Sequence, residues 1–584
     1  MHFKNNYTFF LLLYIALLTT ALIPYYTDGC LILGGEGDYA LDFSGHLKKY
    51  GFMWFSTYGV GMQNLGSCGT GLNILLLWLI ENLTGSASIT NFVLIFSIYF
   101  FPFFAMYLVC KEIKATPFIS FLCSLFYVVN PYILYYLTCL NQWNVFSVTM
   151  MPMLLWVILK YYHNNFKLFF FFGFISALFS FAYTNPPMLV VIHISIVLSI
   201  FMVSYYRNKK LILAQIFKKY GVVFISFVVF NFWWILSFFA GYGLSAAGKI
   251  YAHSFAESWL RITVSGHGAI IAKTFSLTTL LPMRDPWYNF FGFWYSSIFA
   301  RLIVLVPIFM IVYFVLIAKD KRTRNSLNCA IFGVLLIALF FVKGNSGLFG
   351  FIYDFMFKYF PLFYIFKSPV EKFGLLYVFI FSVLLLLVIK GINHYKHYKP
   401  ILGIFIFYLV FCIMPVITGN IIPDHKLRGL GYVSRKYKDK EDYIKAKRLI
   451  NEDKWKYRTL SLPGVGNYQI CMPNYNNKKY TGLDPFLMNT DKPFIAVHHG
   501  IHVLYNNISS AKYAKLLGIY NIGKIVINED VMPWFGEIEK ESISELKSIF
   551  SKSMPSKKSG VITLYENKNN FMPCIYAVDS TSAK

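Results

Sequence analysis

The sequence predicts a polytopic α-helical membrane protein with about eleven transmembrane helices and an extracytoplasmic α/β domain at its C-terminus. Three observations predict this class. Hydrophobic residues make up 57% of the 584 residues and charged residues only 14%, whereas soluble domains are roughly 45–50% apolar. Long apolar runs recur along residues 1–419. Charge then returns abruptly, which marks residues 420–584 as a separate soluble domain.

The apolar runs have the length of membrane-crossing helices. A hydrocarbon core about 30 Å thick needs roughly 17–25 helical residues, and a helix satisfies every backbone polar group internally. The predicted spans are residues 8–26, 90–110, 117–138, 143–162, 167–183, 185–205, 220–240, 298–318, 326–342, 373–390 and 400–418.

Three long loops separate these spans, at residues 27–89, 241–297 and 343–372. The first contains the short apolar stretch 73–80, which is typical of an interfacial or re-entrant helix. We expect the first two loops to lie along the membrane surface and all three to be external.

Basic residues indicate the orientation of the chain. They concentrate in alternate short connections, at Lys111/Lys114, Lys160/Lys167, Arg207 to Lys219, Lys319 to Arg324 and Lys390 to Lys399. The intervening connections 139–142 and 184–187 contain none. Lys and Arg accumulate on the cytoplasmic side of short loops, so the N-terminus is predicted to be cytoplasmic and the C-terminal domain external.

Several classes of function are disfavoured. The net charge of +26 is interleaved with apolar runs, so it indicates membrane topology and not a nucleic-acid partner. The polar segments contain no phosphate-binding P-loop, dinucleotide fingerprint, zinc-protease motif or nucleophile elbow. Within the spans, His193 and Arg301 are the main ionisable residues, which disfavours a proton-coupled transporter.

The nine cysteines have no metal-binding spacing, and most are interpreted as small core residues. Cys30 and Cys68 share the first external loop, and Cys471 and Cys574 share the C-terminal domain. Either pair could form a disulfide in an oxidising compartment.

The first external loop carries an acidic motif. Asp38 and Asp42 follow a glycine-rich segment, and His46 lies close behind. A carboxylate at the lipid–water boundary can serve as the general base that accepts a hydroxyl proton during sugar transfer. Asp38 is the first candidate and Asp42 the second. The alternative is that one of them caps a helix starting near Tyr39.

The three long loops also carry candidate phosphate ligands: Lys48, Arg261, Arg284, Lys367 and Lys372. Cationic side chains bind phosphate through charge-assisted hydrogen bonds. Each could instead be an interfacial anchor whose charged end reaches toward water.

The C-terminal domain shows short β-type runs at 458–462, 523–528 and 560–565, and a helical pattern at 537–550. A mixed α/β domain is therefore expected.

Three segments resemble a known family. The first is Gly37-Asp38 with Asp42 and the following Tyr58-Gly-Val-Gly, and the second is Phe366-Lys-Ser-Pro-Val-Glu-Lys-Phe-Gly374. The third is diffuse and lies in the C-terminal domain, at Arg458-Thr-Leu-Ser-Leu-Pro, Tyr480-Thr-Gly-Leu-Asp-Pro, Leu517-Gly-Ile-Tyr-Asn-Ile-Gly-Lys-Ile-Val-Ile and Leu564-Tyr-Glu-Asn. Together they resemble the bacterial GT-C membrane glycosyltransferases, in the group of YfhO-like proteins and AftD-type arabinofuranosyltransferases.

The resemblance implies a GT-C-like fold in the cytoplasmic (inner) membrane of a bacterium. It implies transfer of a sugar from a polyprenyl-phosphate-linked donor to a cell-envelope glycan or a lipid-linked acceptor on the outer face. Asp38 carries over as the base. His46, Lys48, Arg261, Arg284, Lys367, Glu371 and Lys372 are the expected substrate-binding residues.

Other functions remain open. The chain could be a flippase or exporter of lipid-linked oligosaccharide, a polysaccharide polymerase or ligase, or a non-catalytic assembly subunit. No cofactor is expected, although the sequence leaves a divalent metal open.

Overall fold

The structure of the protein is a computed structural model in which the chain forms two compact units. One unit comprises Met1–Pro24, Leu65–Asn73 and Phe92–Pro423, and the other comprises Tyr25–Asn64, Ile74–Asn91 and Asp424–Lys584. The residues described are 6–26, 31–33, 47, 54–55, 62–63, 71–139, 142–208, 213–242, 253–266, 302–317, 325–392, 398–417, 435–437, 441–452, 457–465, 472–474, 479–481, 494–497, 513–529, 531–532 and 543–567.

Helices dominate the chain up to residue 417. They are α1 (Tyr7–Leu22), α2 (Gly71–Thr84), α3 (Ala87–Glu112), α4 (Pro117–Val129), α5 (Pro131–Cys139), α6 (Gln142–Tyr161), α7 (Asn165–Leu178), α8 (Pro186–Asn208), α9 (Leu213–Tyr242), α10 (His253–Gly266), α11 (Val306–Val312), α12 (Ser326–Val342), α13 (Gly350–Tyr359), α14 (Pro369–Ile392) and α15 (Tyr398–Ile417). Short 3₁₀ turns lie at Ile23–Tyr25, Ser180–Tyr183 and Phe363–Phe366, and a π-helical turn lies at Tyr313–Ile317.

Four helices in the described ranges are long and apolar enough to cross a membrane: Ser88–Glu112, Pro186–Asn208, Leu213–Leu236 and Pro369–Ile392. A fifth candidate is the pair α4 and α5, which is bent by 62°. Shorter apolar helices of 10–17 residues lie at the other predicted positions. The chain is therefore a multi-pass membrane protein, while the number of crossings remains a prediction.

The bend between α4 and α5 is built by Asn130. Its side-chain amide donates to the carbonyls of Phe126 at 3.0 Å and Tyr127 at 2.8 Å, which end α4. Its side-chain oxygen accepts from the N–H of Ile133 at 3.1 Å, which begins α5. Pro131 lacks an N–H and suits the first helical position. One buried side chain thus satisfies both helix ends where the backbone leaves the helix.

Helix α14 is the centre of the first unit. In its most apolar 18-residue window, 83% of the residues are buried, compared with 28% in α9. Helices α4, α6, α8, α11 and α12 all pack against α14. Because α14 is enclosed by protein, its first turn has a fixed position.

Tyrosines of α5 hold that first turn. The Tyr132 hydroxyl donates to the carbonyl of Val370 at 2.6 Å, and the Tyr136 hydroxyl donates to that of Glu371 at 3.3 Å. Gly374 makes this approach possible, because a Cβ placed there would lie 2.0 Å from the Tyr132 oxygen.

The second unit contains a mixed five-stranded sheet. Its strand order is β11 (Ser556–Ser559), β12 (Ile562–Glu566), β9 (Ile522–Asn528), β5 (Arg458–Val465) and β8 (Phe494–Val497). Strand β5 is parallel to β8 and β9, whereas β12 is antiparallel to both of its neighbours.

Helices α17 (Tyr513–Ile519) and α18 (Ile543–Ser551) pack on this sheet, and α16 (Glu441–Asn451) precedes it in the chain. Their shared core includes Leu460, Leu462, Leu517, Ile525, Ile527, Leu546 and Phe550. Strands and a helix therefore lie where the sequence predicts an α/β domain. Short strands also form at β6 (Met472–Asn474), β7 (Lys479–Thr481) and β10 (Val531–Met532).

The second unit also includes part of the first long loop. Strand β1 (Leu31–Leu33) pairs antiparallel with β4 (Arg435–Tyr437). A small hairpin joins β2 (Trp54–Phe55) to β3 (Met62–Gln63). Residues 31–33 and 435–437 therefore lie on the same side of the membrane.

We expect Gly374→Ala to destabilise the protein in detergent by about 1–3 kcal/mol, because the added methyl group overpacks the contact with Tyr132. Gly403→Ala in α15 is the matched control, since a Cβ there meets nothing within 4 Å. Thermal unfolding followed by intrinsic fluorescence measures both variants. An equal Tm for the two would contradict the proposed role of this contact.

Candidate functional site

Four predicted site residues lie in the described part of the chain: Arg261, Lys367, Glu371 and Lys372. Asp38, Asp42, His46, Lys48 and Arg284 lie outside the described residues, as do the cysteines of both predicted disulfides. The described four occupy α10 and the segment that leads into α14.

Helix α10 is joined to that segment by two hydrogen bonds. The Trp259 indole N–H donates to the Ser368 hydroxyl at 2.9 Å. The Thr263 hydroxyl, one helical turn later, donates to the carbonyl of Lys367 at 2.9 Å. Residues four apart lie on one helix face, so one face of α10 bonds the backbone of Lys367 and the side chain of Ser368.

The neighbouring face of α10 is apolar. Ala256 and Leu260 are buried in a cluster with Tyr353 and Phe357 of α13. The Tyr353 hydroxyl also donates to the carbonyl of Phe366 at 2.7 Å. Helix α13 therefore bonds residue 366, and helix α10 bonds residues 367 and 368.

Lys367 and Lys372 form a cationic pair at the beginning of α14. The Lys367 ammonium lies over the Trp259 ring, 5.6 Å from its centroid, which is within range of a cation–π interaction. Lys372 is only 8% exposed, and its ammonium lies 3.6 Å from the Glu371 carboxylate.

Burial and the nearby charge of Lys372 lower the pKa of Lys367 from 10.5 to about 8, and the Glu371 carboxylate partly opposes this shift. Desolvation disfavours the charged form of a lysine. Lys367 is thus a cation near neutral pH that becomes neutral as the pH rises through about 8.

The backbone adds further positive potential. Helix α14 begins at Pro369 and runs for 24 residues. Pro369 has no N–H, and the Lys372 N–H donates to the carbonyl of Ser368 at 3.2 Å, so this end offers the N–H groups of Val370 and Glu371. The helix dipole is positive at this end. Lys367, Lys372 and the first turn of α14 together form an arrangement suited to an anion such as phosphate.

Arg261 lies on a different face of α10. Its guanidinium pairs with Glu257 at 2.7 Å, and its side chain is 74% exposed. Positions 259 and 261 are two apart, so their side chains point to opposite sides of the helix. The structure therefore brings together Lys367, Glu371 and Lys372 but does not place Arg261 among them.

Sequence reasoning did not assign roles to Thr263, Ser368, Tyr132 or Tyr136. These contacts are long-range. The bonds from α10 reach residues 104 and 109 positions further along the chain, and the bonds from α5 reach residues 235 and 238 positions further along. The sequence signal that could have indicated the contacts of α10 is Trp259, in the amphipathic stretch before Arg261. Among the residues that the structure describes, no group of three or more metal-binding side chains occurs.

Comparisons with known proteins identify the fold. No protein-family model and no curated protein sequence matches this chain. Among solved structures, the cryo-EM structure of the arabinofuranosyltransferase AftD from Mycobacteria covers 95% of this chain, with a TM-score of 0.58 and 12% sequence identity. A point mutant of that enzyme, in two classes, gives TM-scores of 0.61 and 0.60 at 11% and 12% identity.

This chain spans about 40% of the length of that arabinofuranosyltransferase. At such low identity the match shows a shared fold. The resemblance to AftD-type arabinofuranosyltransferases that the sequence predicts is confirmed as a resemblance of fold.

The charges around Lys367 predict opposite effects for two variants. Lys372→Gln removes a positive neighbour and should raise the pKa of Lys367, whereas Glu371→Gln removes a negative one and should lower it. Competitive amine labelling at several pH values, quantified by mass spectrometry, measures the midpoint for Lys367. Shifts in the same direction for both variants would contradict this arrangement.

Proposed function

We propose that this protein is a membrane glycosyltransferase that transfers a sugar from a polyprenyl-phosphate-linked donor to a cell-envelope glycan or a lipid-linked acceptor. The observation that carries the proposal is a cationic cluster at the start of the central helix in a chain with an arabinofuranosyltransferase-like fold. The absence of nucleotide-binding motifs from the polar segments is consistent with a lipid-phosphate donor.

In the proposed reaction, the oxygen of the acceptor hydroxyl attacks the anomeric carbon of the donor sugar. The bond between that carbon and the phosphate oxygen breaks, and the lipid phosphate leaves with the electron pair. Asp38 accepts the hydroxyl proton, with Asp42 as the second candidate. Attack opposite to the leaving phosphate inverts the anomeric centre.

Lys367 and Lys372 would bind the donor phosphate and stabilise the negative charge that grows on it as the bond breaks. The N–H groups of Val370 and Glu371, with the dipole of α14, would add positive potential at this end of the helix. Glu371 would keep Lys372 in place through their 3.6 Å ion pair. His46, Lys48, Arg261 and Arg284 are proposed as further contacts to donor or acceptor.

The proposed topology places the N-terminus in the cytoplasm and residues 420–584 outside the cell, in the cytoplasmic membrane of a bacterium. Pairing of β1 with β4 supports a common side for the first loop and this domain.

Basic side chains from two separate connections also reach the end of α3 and the turn that follows it. Arg207 pairs with Glu112 at 3.1 Å, and Lys390 donates to the carbonyl of Ile113 at 2.6 Å. This grouping supports a shared cytoplasmic end for these connections.

In this topology the external domain, residues 420–584, would orient the acceptor glycan.

We expect Lys367→Met to lower kcat/KM for a polyprenyl-phosphate sugar by about tenfold to a hundredfold, since a charge-assisted hydrogen bond contributes roughly 1.5–3 kcal/mol. Lys160→Met at the end of α6 is the matched control, because this exposed lysine also lies over a tryptophan ring, 4.8 Å from the centroid of Trp156. The assay follows transfer of a labelled sugar by purified protein. Equal turnover for the two variants would remove Lys367 from the phosphate site.

The base assignment has its own test. Asp38→Asn should lower turnover by about 10²–10⁴-fold while donor binding is retained, because a general base acts in the transition state. Asp42→Asn, in the same loop, is the comparison, and a larger loss there would move the role to Asp42. If the wild type consumes no donor but lipid-linked glycan crosses the bilayer, the protein is a transporter.

A further inference from the structure

The loop between α12 and α14 exposes many large apolar side chains. They lie on α13 and in the turns that flank it, and more than half of each is exposed: Leu348, Phe349, Phe351, Phe355, Tyr359, Phe360 and Leu362. An exposed apolar patch of this kind marks an interaction surface.

Helix α13 presents three distinct stripes. Tyr353 and Phe357 are buried against α10. Asp354 and Lys358 form an exposed polar stripe.

A third set, Phe351, Phe355 and Tyr359, is spaced by four residues and lies on one face. We call these three residues the aromatic stripe. They point away from the face that packs on the protein.

The aromatic stripe is internally ordered. The rings of Phe355 and Tyr359 lie 5.0 Å apart. The Lys358 ammonium lies 5.3 Å from the centroid of the Tyr359 ring, which places a cation at the border between the aromatic stripe and the polar stripe. Aromatic rings beside lysines are typical of the membrane interface, where one side is apolar and the other is hydrated.

Both ends of α13 have an unusual backbone. Phe349 has φ of 61° and Leu362 has φ of 63°. The left-handed region is unfavourable for residues with a Cβ, and glycine or asparagine would adopt it at lower cost. At these positions the chain instead carries bulky apolar side chains that remain exposed. We infer that these side chains contact another molecule.

The position of α13 indicates what contacts this surface. With 10 residues, α13 is too short to span a bilayer. It lies between two apolar helices, α12 and α14, and α12 itself exposes Leu336 and Ile337. The aromatic stripe thus belongs to a loop whose two ends are both anchored at the membrane.

We propose that α13 is an interfacial helix whose aromatic stripe contacts bilayer lipid at the lipid–water boundary, with Phe349 and Leu362 as additional apolar anchors. The polar stripe of Asp354 and Lys358 faces the headgroups and water. The surface is thus a lipid-binding surface, whatever reaction the protein performs.

A consequence concerns Lys367. The bond from Tyr353 to the carbonyl of Phe366 ties the residue before Lys367 to α13. Anchoring of α13 in the interface therefore holds the Lys367 ammonium near the depth of lipid headgroups.

The test is photo-crosslinking of the full-length protein in lipid nanodiscs. A benzoylphenylalanine replaces Phe355, and mass spectrometry identifies what it captures. Because the Phe355 side chain is exposed, the replacement leaves the core intact. The same probe at Phe232, an exposed position in the span α9, gives the yield of a lipid-facing site. The same probe at Lys558, exposed on strand β11, gives the yield in a soluble domain.

We expect lipid adducts at position 355 in a yield similar to that at position 232 and at least tenfold above that at position 558. A yield as low as that at position 558 would show that the aromatic stripe faces water and would overturn the proposal. Adducts to a peptide instead of lipid would also overturn it, because this chain or a second copy would then cover the surface. Neither result depends on glycosyltransferase activity.

Discussion

A backbone N–H or C=O group inside a bilayer has no water to bond, and this constraint decides where the chain can leave the helical state. The bend after α4 is possible because the Asn130 side chain bonds the ends of both helices. Long side chains serve helix ends elsewhere. Lys390 reaches the carbonyl of Ile113, and Lys343 reaches that of Ser346 at 3.0 Å. Asn130, Lys343 and Lys390 therefore supply hydrogen bonds to backbone groups at or just beyond the ends of apolar helices.

The geometry of the candidate site depends on the bend between α4 and α5. Once Asn130 redirects the chain, α5 brings Tyr132 onto the first turn of α14, where Gly374 leaves room for it. Helix α10 bonds the segment before Pro369. The lysines at this point are therefore held by elements distant in sequence. An anion bound there meets a preorganised cluster, which reduces the cost of ordering flexible side chains on binding.

The features that could be predicted from the sequence are those that depend on the local residue pattern. Apolar length indicated the helices, and Lys367, Glu371 and Lys372 lie together because they fall within two helical turns. Arg261 is different, because its direction depends on the rotation of α10 about its axis. That rotation is set by burial of Leu260 against α13, a tertiary contact that periodicity alone does not give. The roles of Asp38 and Asp42 stay predictions, since both lie outside the described residues.

The left-handed conformations of Phe349 and Leu362 bear on how this chain could evolve. A glycine at either position would relieve about 1–2 kcal/mol of backbone strain. Selection for heat resistance in detergent would therefore favour replacing both residues, because a micelle has no flat bilayer interface in which their side chains could be anchored. Such variants would be more stable and less firmly seated in a native membrane. For this loop, stability and membrane attachment are competing objectives.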